Sequence, residues 1–231
     1  MRWLAGALTI VLLAGCAHTV DGRAEPAASA LRTLLTEDEI SSAGGNPLST
    51  FGFQPFVGGP EILPDGFRSD SDASPIACAP VTDTAPRITY EPLPVLEVAR
   101  QSYFDWDQRV NTSGADAAVV RLSSAATAGA AFAEFGRRWQ RCAGTTVVKH
   151  VGNAVIDAEI TDVTLRGPML SATVRTRLRP SGPSTRYERV LGVRGDTLVE
   201  VSLAITPAGE RRTNPRDVAV RIAQAMLDKT R

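Results

Sequence analysis

The stretch SAATAGAAFAEFGRRWQRC, residues 124–142, carries the strongest helical signal in the chain. Its apolar side chains recur at the three- and four-residue spacing of one helix face: Ala128, Phe132, Phe135, Trp139 and Cys142. The opposite side is charged: Glu134, Arg137, Arg138 and Arg141. The pattern predicts an amphipathic helix over about 124–141. We expect its aromatic stripe to pack into a core; the alternative is that it lines a ligand pocket.

Segments with strand character lie on both sides of this helix. They are residues 95–110, 116–122, 147–151, 154–164, 169–178, 187–193 and 198–205. In the last of them apolar residues alternate with polar or small ones, which is typical of a half-buried strand. Shorter helices are predicted from Thr36, as a capping box with Glu39, and from Asn214-Pro215. The order predicts an α+β fold, an antiparallel β-sheet with helices packed mainly on one face.

Length and charge exclude several classes of protein. The chain has 231 residues, 43% of them apolar, which suits one globular domain and excludes a disordered chain. There are 25 basic and 25 acidic residues, so no global positive field points to nucleic acid. We therefore expect no nucleic-acid partner.

The N-terminus predicts export and lipid anchoring. Residues 1–15 combine a short positively charged start with an apolar run, 4–13, that is too short to span a membrane. Leu13-Ala14-Gly15-Cys16 resembles the lipobox of bacterial lipoproteins, which implies cleavage before Cys16 and acylation of that residue. The alternative is a plain secretory signal with an incidental cysteine. Residues 16–30 are small and polar, as in a flexible tether.

The remaining cysteines predict a disulfide. Without Cys16 the chain keeps Cys78 and Cys142, and an even pair in an exported domain is usually bonded. Two cysteines with His150 as the one histidine beyond the tether do not make a four-ligand zinc set. We expect no metal and no cofactor.

Several segments together resemble a known family. They are residues 31–36 (LRTLLT), Cys78, the run from Phe132 through Trp139 and Cys142 to Gly144, and the strand-like 189–193. The chain resembles the PknH-like extracellular sensor domain over about residues 31–229, and we assign 31–231 to it. That family occurs at the end of a mycobacterial membrane serine/threonine kinase and in stand-alone mycobacterial lipoproteins. The resemblance implies an antiparallel sheet with flanking helices, a cleft for an extracellular ligand, and no known enzymatic activity.

The sequence departs from the family pattern in two respects. Family members often carry a second disulfide, whereas this chain has one cysteine pair beyond Cys16. It also has no kinase core, so any signalling would need a partner.

One aromatic and acidic run is a candidate ligand site. Tyr103, Asp105, Trp106 and Asp107 place two carboxylates beside aromatic rings, the combination that a glycosidase uses. The alternatives are a ligand contact without catalysis and a solvated strand end. No nucleophile elbow, zinc-protease motif or phosphate-binding loop occurs, and His150 is expected to be structural.

A second candidate site is a row of arginines. Alternation along 169–178 puts Arg175, Arg177 and Arg179 on one sheet face, and a four-residue hairpin at 181–184 would place Arg179 opposite Arg186. Arg177 would then face Glu188, and Arg175 would face Val190. Guanidinium groups bind phosphate, so this row predicts affinity for anionic lipid or phosphorylated glycan. The alternative is a solvated face.

These patterns predict a lipid-anchored, non-enzymatic sensor-like or ligand-binding domain on the outer face of a mycobacterial membrane. Its partners would be the membrane, through the anchor, and an envelope ligand or protein. The alternatives are a cell-envelope hydrolase acting on glycans and a structural partner of another envelope protein. A cleft with converging carboxylates would favour the hydrolase. A cleft of apolar and basic residues would favour an anionic lipid or glycan ligand, and a flat apolar patch would favour a protein partner.

Overall fold

The computed structural model describes residues 29–107, 109–212 and 214–230. The predicted signal peptide, 1–15, and the lipidation residue Cys16 lie outside them, as does most of the tether. The last tether residues, Ser29 and Ala30, belong to the folded body. The Ser29 hydroxyl and the Ala30 N–H donate hydrogen bonds of 2.9 and 3.0 Å to the Glu97 carboxylate.

The described residues form nine strands and seven α-helices. The strands are β1 (Phe56–Gly58), β2 (Ala73–Ser74), β3 (Val95–Phe104), β4 (Thr112–Leu122), β5 (Thr146–Val151), β6 (Ala154–Arg166), β7 (Met169–Leu178), β8 (Ser184–Arg194) and β9 (Thr197–Ile205). The helices are α1 (Ala30–Thr33), α2 (Glu37–Gly44), α3 (Ala79–Thr82), α4 (Arg87–Tyr90), α5 (Ala125–Arg141), α6 (Pro207–Arg212) and α7 (Pro215–Asp228). Among the described helices, none is long and apolar enough to cross a membrane.

All nine strands join one antiparallel sheet in the order β1-β3-β4-β9-β8-β7-β6-β5-β2. The predicted α+β class is therefore confirmed. The predicted long helix is α5, and the Ser124 hydroxyl accepts a hydrogen bond from the Thr127 N–H at its start.

The helices are divided between the two faces of the sheet rather than packed mainly on one. α5 packs with Leu191 and Leu198 in one core, and α7 and α2 pack with Val190 and Val199 in the other. Neighbouring residues such as Val190 and Leu191 point to opposite faces, and both are buried. The prediction that the helices pack mainly on one face is wrong, because alternation along the strands predicts one buried and one solvated face, whereas both faces are buried.

The segment 46–94, rich in Pro, Gly, Ser and Asp, forms short elements, and its part from Pro60 onward closes over the α5 face. Leu63, Ala73, Val81 and Tyr90 from this segment are buried in the α5 core. A disulfide joins Cys78 to Cys142 directly after α5, as the sequence predicts. The segment is therefore part of the domain body and forms a wall over the sheet.

The β7–β8 hairpin has a different register from the predicted one. Arg175 lies opposite Arg186, and Arg177 lies opposite Ser184. The predicted ladder would need Pro180, which has no N–H, to pair with β8, whereas the Arg179 N–H donates to the Val155 carbonyl on β6 at 2.8 Å. The shift is by an even number of residues, so the arginines keep to one face.

Candidate functional site

A cleft lies between the α5 face of the sheet and the wall formed by residues 60–90. It consists of two adjoining depressions of about 250 and 290 Å³ that share Asp83, Thr84 and Asp116. The wall contributes further residues, Pro64, Gly66, Phe67 and Pro86. The sheet contributes polar side chains from successive strands, Arg100, Ser102, Lys149, Thr176, Tyr187 and Ser202.

Asp116 on β4 is the acidic centre of the cleft floor. The register places it between Ser102 on β3 and Ser202 on β9. The Ser102 hydroxyl donates a hydrogen bond of 2.5 Å to the Asp116 Oδ1. Burial raises the pKa of the nearby Tyr187 phenol, and the negative charge of Asp116 raises it further. The floor therefore offers one carboxylate beside hydroxyl groups.

Arg100 lies beside this centre on β3. Its guanidinium donates a hydrogen bond of 3.2 Å to the Ile62 carbonyl of the wall and lies 5.9 Å from the centroid of the Phe56 ring. Burial lowers the pKa of Arg100, and the Asp116 carboxylate opposes that shift. Opposite charges thus face the same depression.

The far end of the cleft carries an ion pair between wall and sheet. The Lys149 ammonium on β5 lies 2.8 Å from the Asp83 carboxylate and 5.1 Å from the centroid of the Phe67 ring. Burial lowers the pKa of Lys149, and Asp83 opposes this. This ion pair keeps the Lys149 ammonium at the cleft and prevents it from extending into solvent.

A buried network beneath the cleft fixes the position of the wall. Arg189 on β8 is fully buried and lies 2.7 Å from the Glu200 carboxylate on β9. The same guanidinium donates to the carbonyls of Val81 and Asp83 at 3.1 and 2.6 Å. It also donates to the Thr84 hydroxyl at 2.7 Å. The sheet therefore holds the backbone and side chains that line the cleft.

Tyr90 completes this network from α4. Its hydroxyl donates a hydrogen bond to Glu200, which also accepts one from the Ala85 N–H at 3.0 Å. Burial, followed by the charge of Glu200, raises the pKa of Tyr90 well above its ordinary value. The Arg189 guanidinium lies 5.7 Å from the centroid of the Trp139 ring on α5.

The aromatic and acidic run proposed from the sequence is not brought together as a unit. Tyr103 is buried on the α7 side, where its hydroxyl donates to the Leu35 carbonyl at 2.5 Å. Asp105 accepts a hydrogen bond of 2.8 Å from the Asp107 N–H, and Asp107 pairs with Arg109 at 2.8 Å. Hydrogen bonds from Arg109 lower the pKa of Asp107 to about 2. Only Trp106 of this set presents a ring to solvent.

The arginines proposed from the sequence lie near carboxylates on the other side of the sheet from the cleft. Arg175 pairs with Glu210 at 3.1 Å, Arg179 with Asp157 at 2.6 Å and Arg186 with Glu188 at 2.6 Å. Arg177 lines a depression of about 380 Å³ together with Asp157 and Glu159. The pairing favours the solvated-face alternative, and affinity for anionic lipid stays a prediction.

The histidine and the acidic side chains of the described residues are dispersed. No three of its His, Cys, Asp and Glu residues are grouped so as to hold a metal ion. His150 is exposed on β5, and its backbone N–H donates to the Asp72 carbonyl at 2.8 Å. It does not line the cleft.

The chain and its architecture are similar to those of known proteins. The family model described as PknH-like extracellular domain matches residues 26–229. A search among curated proteins finds no match. The crystal structure of the extracellular domain of PknH from Mycobacterium tuberculosis is similar, with a TM-score of 0.68 and 18% identity over 86% of this chain and 92% of that one. At this identity the likeness shows the fold.

A second solved structure overlaps less. A hypothetical protein from Helicobacter pylori matches with a TM-score of 0.24 and 16% identity over 38% of this chain and 56% of that one. This likeness carries no argument about fold or function.

Proposed function

The chain belongs to the PknH-like extracellular domain family, and from this premise we propose that it is a sensor-like domain that binds a ligand in its cleft. The domain works outside the cytoplasm, and the ligand contacts Asp116 on the floor and the Lys149–Asp83 pair at the far end. The observation that carries the proposal is the convergence of polar side chains from several strands and the wall on this cleft. The Arg189–Glu200 network supports it, because it holds the wall in place before a ligand arrives.

Binding without catalysis is the better account of the cleft. Two carboxylates, Asp83 and Asp116, line it, which is the arrangement that a glycan hydrolase would need. A hydrolase of that kind needs both carboxyl groups free to face the scissile bond. The Asp83 carboxylate is instead engaged by the Lys149 ammonium at 2.8 Å, in an ion pair between wall and sheet.

The ligand proposal is tested on what the native protein carries. We expect mass spectrometry of the small molecules released by denaturing the exported, purified full chain to find one bound species. Asp116→Asn keeps the shape but removes the charge, and a charged hydrogen bond contributes about 1.5–3 kcal/mol. Recovery from this variant should fall about tenfold or more.

Asp38→Asn is the matched control, because Asp38 is exposed on α2 at the opposite face of the sheet. It should leave recovery unchanged. Equal recovery from the Asp116→Asn and native chains, or no species above background from the native chain, would contradict ligand binding in the cleft.

We further propose that Cys16 carries the lipid that holds the domain on the outer face of a mycobacterial membrane. In this proposal Cys16→Ser removes the thiol that is acylated, and the polar tether has no other means of anchoring. We expect the variant to move from the detergent phase to the aqueous phase in a detergent partition experiment. Acylation at two or more positions anchors firmly, so the native chain should stay in the detergent phase. A variant that still partitions fully into detergent would refute the anchor.

A further inference from the structure

Aromatic side chains are concentrated on the surface at one edge of the sheet. Phe51, Phe53, Phe56 and Trp106 are 54%, 67%, 66% and 71% exposed. Together with Phe104 they form what we call the aromatic platform. Four of the 7 phenylalanines of the chain lie in it. Contiguous exposed apolar surface of this kind marks an interaction site.

The rings of the platform are ordered relative to one another. Phe104 and Trp106 stack in parallel, with centroids 5.6 Å apart and an interplanar angle of 5°. Phe51 lies 6.0 Å from Trp106 and is tilted by 41°. Next to Trp106, the Asp107 N–H donates a hydrogen bond of 2.8 Å to the Asp105 carboxylate. This bond holds together the two residues that flank the indole.

The platform continues into the cleft. A depression of about 460 Å³ is lined by Phe53, Phe56 and Phe104 together with Gln54, Gln101 and Ser102. Phe56, Gln101 and Ser102 also line the cleft beside Asp116. A ligand bound over Asp116 can therefore extend onto the aromatic rings without leaving a continuous groove.

The polar groups around the rings select among ligand classes. A lipid bilayer would have to cover the charges of Asp105, Asp107 and Arg109, which lie in or beside the turn that carries Trp106, and burying charge is costly. A pyranose ring with equatorial substituents has one apolar C–H face that packs on an aromatic ring and a rim of hydroxyl groups. The exposed Gln54 amide and the Ser102 hydroxyl, which donates to Asp116 and can still accept, are partners for such a rim.

We propose that the aromatic platform is a carbohydrate-binding site that holds one end of a β-linked oligosaccharide whose other end enters the cleft. This inference rests on the proposed function, because it gives the chemical class of the ligand in the same groove. Sugar rings stack on the exposed rings, and their hydroxyl and amide substituents bond to the polar side chains between the platform and Asp116.

The probe is the hexamer of β-1,4-linked N-acetylglucosamine, titrated into the purified full chain and followed by calorimetry and tryptophan fluorescence. We expect saturable binding with a blue shift and protection from acrylamide quenching. Of the other two tryptophans, Trp139 is buried at 3% exposure and should not contribute to the shift, and Trp3 lies in the signal peptide that is predicted to be removed before Cys16. Trp106→Phe should remove the shift. Trp106→Ala and Phe53→Ala should each weaken binding at least fivefold, without a change in melting temperature, because both side chains are exposed.

Leu96→Ala is the matched control, because Leu96 is 58% exposed on β3 but lies at the other end of that strand. It should leave hexamer affinity unchanged. No binding at millimolar hexamer, or equal affinity in Trp106→Ala and the native chain, would overturn the inference. So would a Trp106-dependent shift with neutral phosphatidylcholine vesicles, or Trp106-dependent self-association, in place of hexamer binding.

The two proposals fail separately. One outcome is that the hexamer does not bind while recovery of the bound small molecule still falls in the Asp116→Asn variant. In that case the platform inference fails and the cleft proposal stands. If the recovered species is independent of Asp116, the cleft proposal fails whatever the hexamer result.

Discussion

Glu200→Gln is expected to lower the free energy of unfolding by about 3–5 kcal/mol, because it leaves the Arg189 guanidinium buried without a counter-charge. Arg189 is fully buried and Glu200 is 4% exposed, so water cannot take the place of the carboxylate. The substitution also weakens the hydrogen bond from Tyr90. Urea denaturation of the disulfide-bonded protein, followed by circular dichroism, measures the change.

A second Glu–Arg pair provides the control. Glu134 and Arg137 lie 2.7 Å apart on α5, but their side chains are 43% and 59% exposed. Solvent-exposed pairs contribute little, so Glu134→Gln should change stability by less than about 0.5 kcal/mol. Similar losses in the two variants would show that the buried pair has no special role.

Replacing both members of the buried pair separates charge from packing. Arg189→Met with Glu200→Leu removes the charges while keeping apolar volume, and such replacements are often neutral or stabilising. We expect the double variant to recover only part of the stability lost in Glu200→Gln, because the Tyr90 hydroxyl and the Ala85 N–H lose their buried acceptor. The double variant should not regain ligand binding, because the hydrogen bonds from Arg189 to the Asp83 carbonyl and the Thr84 hydroxyl are lost.

Local periodicity was sufficient to predict α5 and most of the strands. It failed where a decision depended on residues from distant segments. Alternation along β8 puts Tyr187 and Leu191 into the α5 core, and the same period places Arg189 between them. Alternation along β8 therefore indicates that Arg189 is buried. It cannot identify the partner of Arg189, because Glu200 lies on another strand.

The family resemblance implies a cleft, but the residues that line it were missed for a related reason. Glu200 and Ser202 occupy what a single strand suggests is the solvated side of β9, and both are buried by the wall and α5. The wall comes from residues 60–90, which have too few regular elements for a pattern to predict their position. Only the disulfide at Cys78 indicated from sequence that this segment is held against the body.

The hairpin register shows the limit of counting residues in a loop. The predicted four-residue turn at 181–184 kept Arg179 and Pro180 in the ladder. In the structure β7 ends at Leu178, and the Gly182 N–H donates back to the Leu178 carbonyl at 2.8 Å. The face of each arginine was still correct, because an even shift preserves alternation.

Cys78→Ser, Cys142→Ser and the double variant are each expected to lower the free energy of unfolding by about 2–5 kcal/mol, because each removes the same crosslink. The bridge closes a loop with a sequence separation of 64 residues. In the chain-entropy model a loop of that size corresponds to about 4 kcal/mol. Melting temperatures of the three variants should therefore agree with one another and fall below that of the native chain.

The same bridge positions the cleft, which gives the prediction a second measurement. α3 begins directly after Cys78, and Asp83 follows it, so the crosslink ties the acidic side of the wall to the end of α5. Without it, amide hydrogen exchange should accelerate through residues 79–85, while the β7–β8 strands, which do not contain the bridge, should keep their protection. Two free thiols titrated in the exported, unfolded native chain would show that the crosslink does not form. Unchanged exchange at 79–85 in the variants would mean that the Arg189 bonds alone hold the wall.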